Sequence, residues 1–236
     1  MSIAQKLTTI AENEPKVYDT GYKAGINAQH KAFWDVFQDE GKRTNYSRAF
    51  YGEGWTDKTF KPIYDIQPTN AYYMFCDSTI SGDLIKILSE FGVSLDLSQA
   101  TELVKCFAAT DFTKIGEVNT TSAASLEALF LGSEKLETID KLILKNDGSQ
   151  NLYRMFRRCY ALKNLTVSGV IGTALGLGHA PLSKASIESV IGAVSEAKAV
   201  TLTLNKSAVI SAFGSASNAE WLALINTRPK CTVSLA

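Results

Sequence analysis

The sequence predicts an α/β fold: a short solenoid of parallel strands and short helical segments, with a helical, aromatic-rich N-terminal cap and a mixed α/β C-terminal cap. Three observations predict it. A phenylalanine-centred pattern recurs at Phe75, Phe107, Phe130 and Phe156, at intervals of 32, 23 and 26 residues. The 60 or so residues before the first copy differ in composition and are crowded with aromatics. After the last copy, helix-spaced and strand-like apolar runs alternate.

Residues 1–62 are read as the N-terminal cap. Ile3, Leu7, Ile10, Val17, Ala24 and Ala28 follow a four–three alternation, with Glu14 and Gly21 at the remaining seam positions. Pro15 is free to open a second helix at its first turn. Such a seam fits a self-associating helical stem, or two amphipathic helices folded against their own chain. The stretch Phe33, Trp34, Phe37, Tyr46, Phe50, Tyr51, Trp55, Phe60 and Tyr64 is read as a hydrophobic plug, with sugar stacking as the sharper alternative.

Residues 63–170 carry the repeats. Four residues before each reference phenylalanine stand Ala71, Leu103, Leu126 and Leu152, and one before stand Met74, Cys106, Leu129 and Met155. Ser78, Thr110, Ser133 and Cys159, all small, come three after. Ile80, Phe112, Leu136 and Leu162 come five or six after, and the last three units add Ile115, Ile139 and Leu165 three residues further on. Twelve before stand Ile63, Leu95, Val118 and Leu144, in segments such as SLDL and LILK that read as strands. Offsets of three and four predict a short helical turn around each phenylalanine. The long first interval holds GDLIKILSEFG, a predicted amphipathic helix of about three turns. A period in the twenties is the size of a leucine-rich repeat. One unit cannot bury its apolar side alone, so stacking is expected to join the phenylalanines into one core. Truncating Phe130 to alanine is expected to cost about 3–5 kcal/mol.

Residues 171–236 are read as the C-terminal cap. GVIGTALGLGHAP lacks both phosphate-loop spacings and is read as a loop around a tight turn. PLSKASIESVIGAVSEA places Ile187, Val190, Ile191 and Val194 at helical spacing. VTLTL reads as a strand, residues near 218–226 with Trp221, Leu222 and Ile225 as a helix, and CTVSLA as a closing strand.

Composition narrows function. With 24 basic and 24 acidic side chains the formal charge is zero, which disfavours nucleic acid and an anionic membrane as partners. No apolar run is long enough to span a bilayer. MSIAQKLTTIAENEPK has no signal-peptide pattern, so Sec export is not expected. Cys76, Cys106, Cys159 and Cys231 form no CxxC pair and read as reduced, mostly buried residues. His30 and His179 are the two histidines, both in weak contexts for a catalytic triad, and no metal-binding motif or paired-carboxylate signature stands out. No catalytic, metal or cofactor residue is nominated.

LYRMFRRCYALKNL, with Leu152, Met155, Phe156, Cys159, Leu162 and Leu165, resembles the BspA-type leucine-rich repeat family, whose units run L-x-x-M-F-x-x-C-x-x-L-x-x-I. SLEALFLGSEKLETI keeps the leucines but has Ser133 at the cysteine site, and the other units depart further. Over its length, including IAENEPKVYDTGYKAG and IDKLILKNDGSQ, the chain also resembles minor structural or tail-associated proteins of phages and prophages of gut Firmicutes. The resemblance implies a non-enzymatic binding or structural role at a virion or cell surface, with no cofactor. The absence of a signal-peptide pattern suits a cytoplasmic chain before assembly, then carried in a virion or released by lysis, better than a secreted one.

The expected activity is therefore that of an interaction module contacting a protein or glycan through exposed repeat positions. Tyr153, Arg154, Arg157 and Arg158 form the densest aromatic and basic cluster, and Tyr72 and Tyr73 are the equivalent candidates in the first unit. A solvated helix face is the plainer reading of that cluster. The alternatives are a structural component that forms a homo-oligomer through its N-terminal helices, and a tail-associated glycan hydrolase.

Overall fold

The computed structural model describes residues 46–47, 50, 65–90 and 92–236. The expected helical seam from Ile3 to Ala28 lies outside them, as do all the aromatics of the predicted plug except Tyr46 and Phe50.

Among the described residues the architecture is α/β, with two parallel sheets, short helices and no closed barrel. The first sheet runs in chain order through β1 (Gly82–Asp83), β2 (Phe112–Asn119), β3 (Thr138–Ile143) and β4 (Asn164–Ser168). The second runs through β5 (Leu175–Leu177), β6 (Val200–Leu204) and β7 (Cys231–Leu235). The helices of the described residues are α1 (Leu84–Glu90), α2 (Lys184–Gly192), α3 (Lys206–Phe213) and α4 (Ala219–Asn226). One hydrophobic cluster runs from Tyr46 to Trp221 through both sheets, so residue 170 divides two sheets but not two cores.

Ile115 pairs with Ile139 and Ile139 with Leu165, so those three apolar positions are in register. The positions twelve before the phenylalanines behave differently. Val118 lies beside Leu142 rather than Leu144, and Leu95 forms only an isolated bridge with Ile66. The longer interval before Phe156 places its additional residues between strand and phenylalanine, so counting back twelve stops at Leu144, one residue short of β3.

The segment around each phenylalanine is not helical. It is a run of overlapping turns: Met74, Cys106, Leu129 and Met155 N–H groups donate to the carbonyls three residues back, at 3.1–3.2 Å. The backbone turns left-handed two residues before the phenylalanine, at Tyr73, Lys105, Ala128 and Arg154 with φ of 55–56°. It does so again two residues after, at Asp77, Ala109, Gly132 and Arg158. A positive φ at the third residue is the signature of a type II turn. It also frees alternate N–H groups to leave the segment sideways. Phe50 donates to Met74, Phe75 to Cys106, Phe107 to Leu129 and Phe130 to Met155, all at 2.8–3.0 Å. Tyr73, Lys105 and Ala128 donate in the same sense to Val104, Glu127 and Tyr153. Successive turn segments are thus hydrogen-bonded side by side.

That ladder stacks the rings. Phe75–Phe107, Phe107–Phe130 and Phe130–Phe156 have centroids 5.4–5.5 Å apart and planes within 7°. Phe50 adds a fifth ring, 5.0 Å from Phe75. It sits in the aromatic-rich stretch that the sequence assigns to the plug, and it extends the repeat spacing one unit earlier.

GDLIKILSEFG forms a shorter helix than predicted, of seven residues. Asp83 accepts from the Ile85 and Lys86 N–H groups at its start, and Gly92 follows its end with φ of 71°. α2, β6, α4 and β7 match the predicted elements, except that Val194 falls beyond α2. β5, inside the glycine-rich loop, and α3 are additional. The glycines serve close approach: a Cβ on Gly169 would lie 2.2 Å from the Leu144 carbonyl oxygen, and one on Gly172 would lie 2.2 Å from that of Gly148.

The outer edge of β4 meets α2. The Leu165 and Val167 N–H groups each donate at 2.9 Å, to the Ser186 and Ser189 hydroxyls. Ser186 Oγ also donates to the Lys163 carbonyl at 3.0 Å. A helix with hydroxyls three residues apart thus satisfies strand groups that an edge leaves open.

Candidate functional site

The turn segments repeat an in–out–out–in pattern. In the last, Leu152, Met155, Phe156 and Cys159 are buried while Tyr153, Arg154, Arg157 and Arg158 are exposed. Equivalent outward positions in the earlier segments are Tyr72, Tyr73, Cys76 and Asp77, then Val104, Lys105, Ala108 and Ala109, then Glu127, Ala128, Leu131 and Gly132. Cys76, Ala108 and Ala128 are buried at those positions, being small enough for neighbours to cover.

All six sequence-nominated residues therefore occupy outward turn positions, but in two groups. Tyr72 and Tyr73 sit in the segment of Phe75, three ring steps of 5.4–5.5 Å from the segment of Phe156 that carries the other four. At the first end the two tyrosine rings are 4.4 Å apart. Lys105 Nζ donates to the Tyr73 hydroxyl at 2.6 Å and lies 4.8 Å from its ring centroid. That hydrogen bond raises the lysine pKa.

At the other end, the Arg154 guanidinium carbon is 4.7 Å from the Tyr153 ring centroid. Arg158 pairs with Glu134 at 2.9 Å. Its backbone N–H donates to His179 Nδ1 at 3.3 Å, and the His179 ring stands edge-on to Tyr160 at 5.2 Å. Sequence reasoning missed Lys105, Glu134, Tyr160 and His179 as members of these groups. Glu134 could have been found by applying the repeat register to charges, since it follows Phe130 by four as Tyr160 follows Phe156. No local signal ties His179 to Arg158, because the contact depends on how the glycine-rich loop folds back.

The remaining chemistry is structural. Burial pushes the Cys76 and Cys159 thiols up to about 12, and it raises Cys106 and Cys231 as well. All four are free thiols, three of them buried and Cys231 partly so. Thiols held protonated make poor nucleophiles. Carboxylates in and just before the strands of the first sheet face lysines of neighbouring units: Asp140 with Lys114 at 2.9 Å, Asp111 with Lys135 at 2.7 Å and Glu117 with Lys141 at 3.3 Å. Among the described residues, no group of three or more His, Cys, Asp or Glu is arranged to hold a metal ion. None of their helices is long and apolar enough to cross a membrane. His30 lies outside the described residues.

Comparison with protein-family models, with curated proteins and with solved structures gives no significant match.

Proposed function

We propose that the chain is a non-enzymatic interaction module: a short leucine-rich-repeat solenoid of BspA type that binds a protein or glycan through its outward turn face. The supporting observation is the division of labour within each turn segment. The inward positions carry the ring column and its aliphatic flanks, whereas Tyr153, Arg154 and Arg157 project from positions that the core does not use. Residues so placed are free to vary with a ligand while the fold stays fixed. On this reading the aromatic-rich N-terminal region and the β5–β7 unit close the two ends of the solenoid. The resemblance to phage and prophage tail-associated proteins gives the module a place on a virion or a lysed cell's surface.

The test is a screen of the full chain against glycan and protein arrays, with product analysis of every glycan bound. Binding without cleavage, weakened by Tyr153→Ala, is the expected result. Release of a shortened glycan would convert the reading to a hydrolase, and absence of any binding would reject it. Detecting peptides of this chain in purified particles from an induced prophage tests the proposed setting.

A further inference from the structure

We infer that the last turn segment, residues 152–160, together with His179, binds an acidic saccharide, carboxylated or sulfated. This rests on the interaction-module reading and adds the ligand's chemistry, the end of the stack that takes it, and two residues, Tyr160 and His179.

The polarity of the turn ladder selects the end. In an ordinary sheet the peptide dipoles largely cancel. At alternate positions from four before to two after each phenylalanine, the N–H groups that leave a segment all point the same way, from Phe50 towards Phe156, and the carbonyls that accept them point back. Only bonds at the segment margins, such as Asp111 N–H to Ser78 and Asn151 N–H to Ala124, run the other way. The dipoles therefore add along the stack, as they do along a helix, and the donor end is the positive one. That end is residues 152–158. There the Arg158 N–H reaches His179 Nδ1, and among the described residues the Leu152, Arg154 and Phe156 N–H groups find no acceptor. Leu152 and Phe156 are buried, so they act through their field, while Arg154 is exposed. At the Tyr72–Tyr73 end the carbonyls of Asn70 and Met74 face outward along the stack and are taken by Tyr46 and Phe50.

The side chains add to that field. Arg154 is steadied over the Tyr153 ring and Arg158 is paired with Glu134. Arg157 is exposed and makes no ion pair among the described residues. Glu134 is the one carboxylate ion-paired to these arginines among the described residues, so two of the three positive charges stay unpaired. A guanidinium presents a planar fork that matches carboxylate or sulfate oxygens. An arginine already stacked on a ring loses less freedom on binding.

The aromatics favour a sugar over an acidic peptide. Tyr153 and Tyr160 are 53% and 49% exposed, and they bracket the three arginines within one segment. Tyr160 is braced by His179. Exposed aromatic faces beside cationic forks suit a pyranose ring bearing an acid group. A polyglutamate chain would use the arginines alone.

The experiment titrates the full chain, by calorimetry at low and moderate salt, with oligogalacturonate, a heparin-derived hexasaccharide, maltohexaose and a glutamate hexapeptide. The expected result is binding to one or both acidic sugars and none to maltohexaose. Arg157→Gln and Arg154→Gln should each weaken acidic-sugar binding about tenfold to a hundredfold. Tyr160→Ala should weaken it several-fold while leaving any peptide binding unchanged. These are surface substitutions, and an unchanged near-ultraviolet circular dichroism spectrum checks that each variant is folded. Equal binding of the peptide, indifference to Tyr160→Ala, or no preference for acidic over neutral sugar overturns the inference. Neutral-sugar or protein binding that is still lost with Tyr153→Ala overturns it while leaving the interaction-module reading intact.

Discussion

Cys159 Sγ lies 3.1 Å from the Phe130 carbonyl oxygen, one unit earlier in the chain, and Ser133 Oγ takes the same place over Phe107 at 2.6 Å. In these two units the small residue three positions after the phenylalanine is therefore a hydrogen-bond donor as well as a space-saver, whereas Thr110 Oγ1 donates to the Phe107 carbonyl of its own unit. The bond reaches a buried carbonyl of the preceding unit, which at Phe130 also accepts from the Ser133 N–H at 3.2 Å and at Phe107 has no backbone donor among the described residues.

Ser133→Ala should accordingly cost about 1–3 kcal/mol, because Phe107 keeps only a long bond from Thr110 at 3.3 Å. Ser133→Cys keeps a donor at the same place and should cost distinctly less. Chemical denaturation of both variants checks this, and equal losses would reduce the position to a matter of volume.

Gly132 has φ of 74°, and a Cβ built on it would have its nearest neighbour, Ala109, at 3.9 Å. Gly132→Ala should therefore lose only left-handed backbone freedom, about 1 kcal/mol. Ala109, at the equivalent position with φ of 52°, should gain somewhat less on mutation to glycine, since glycine also loosens the unfolded chain. Opposite signs for this pair in thermal melts are the expected outcome, and a Gly132→Ala variant as stable as the parent would count against the turn geometry.

Ser186→Ala removes the acceptor of the Leu165 N–H and the donor to the Lys163 carbonyl. A loss of about 1–3 kcal/mol is expected. Ser189→Ala, beside the partly buried Val167 N–H, should cost less. Hydrogen exchange locates the effect: the Leu165 amide should exchange faster in Ser186→Ala than amides in β2.

Cys159 gives a pH dependence. Burial lifts its thiol from an ordinary value of 9.0 to about 12, so the folded state keeps a proton that the unfolded state releases. The stabilisation is full below about pH 9 and declines as pH rises towards 12, by about 1 kcal/mol per pH unit for this one thiol. Cys159→Ser, whose hydroxyl does not titrate there, should lose less stability between pH 8 and pH 10.5 than the parent. Parallel urea midpoints for the two proteins would contradict the assignment.

Much of this architecture was legible in the residues, for a specific reason. Burial repeats register after register, so Ile115, Ile139 and Leu165 announce a shared strand position, and the four phenylalanines announce their column. The turns were not legible as turns. Leu152, Met155, Phe156 and Cys159 stand at offsets of zero, three, four and seven, which is the template of an amphipathic helix. A left-handed residue every fourth position produces the same inward pattern with no helix, and over eight residues the two cannot be told apart by spacing. Phe50 was hidden by its surroundings, since Trp55, Tyr51 and Phe60 make any one aromatic unremarkable there. Tyr160 and His179 meet through a loop whose path depends on close approaches at Gly169 and Gly172, which no local pattern encodes.

The most direct measurement is a set of nuclear Overhauser contacts between phenylalanine rings in a selectively labelled sample of the full chain. Contacts are expected for Phe50–Phe75, Phe75–Phe107, Phe107–Phe130 and Phe130–Phe156, whose centroids lie 5.0–5.5 Å apart, and for no pair that skips a unit. Rings that show no mutual contacts, or that contact across two units, would contradict the stacked column on which the outward face of Tyr153, Arg154, Arg157 and Arg158 depends.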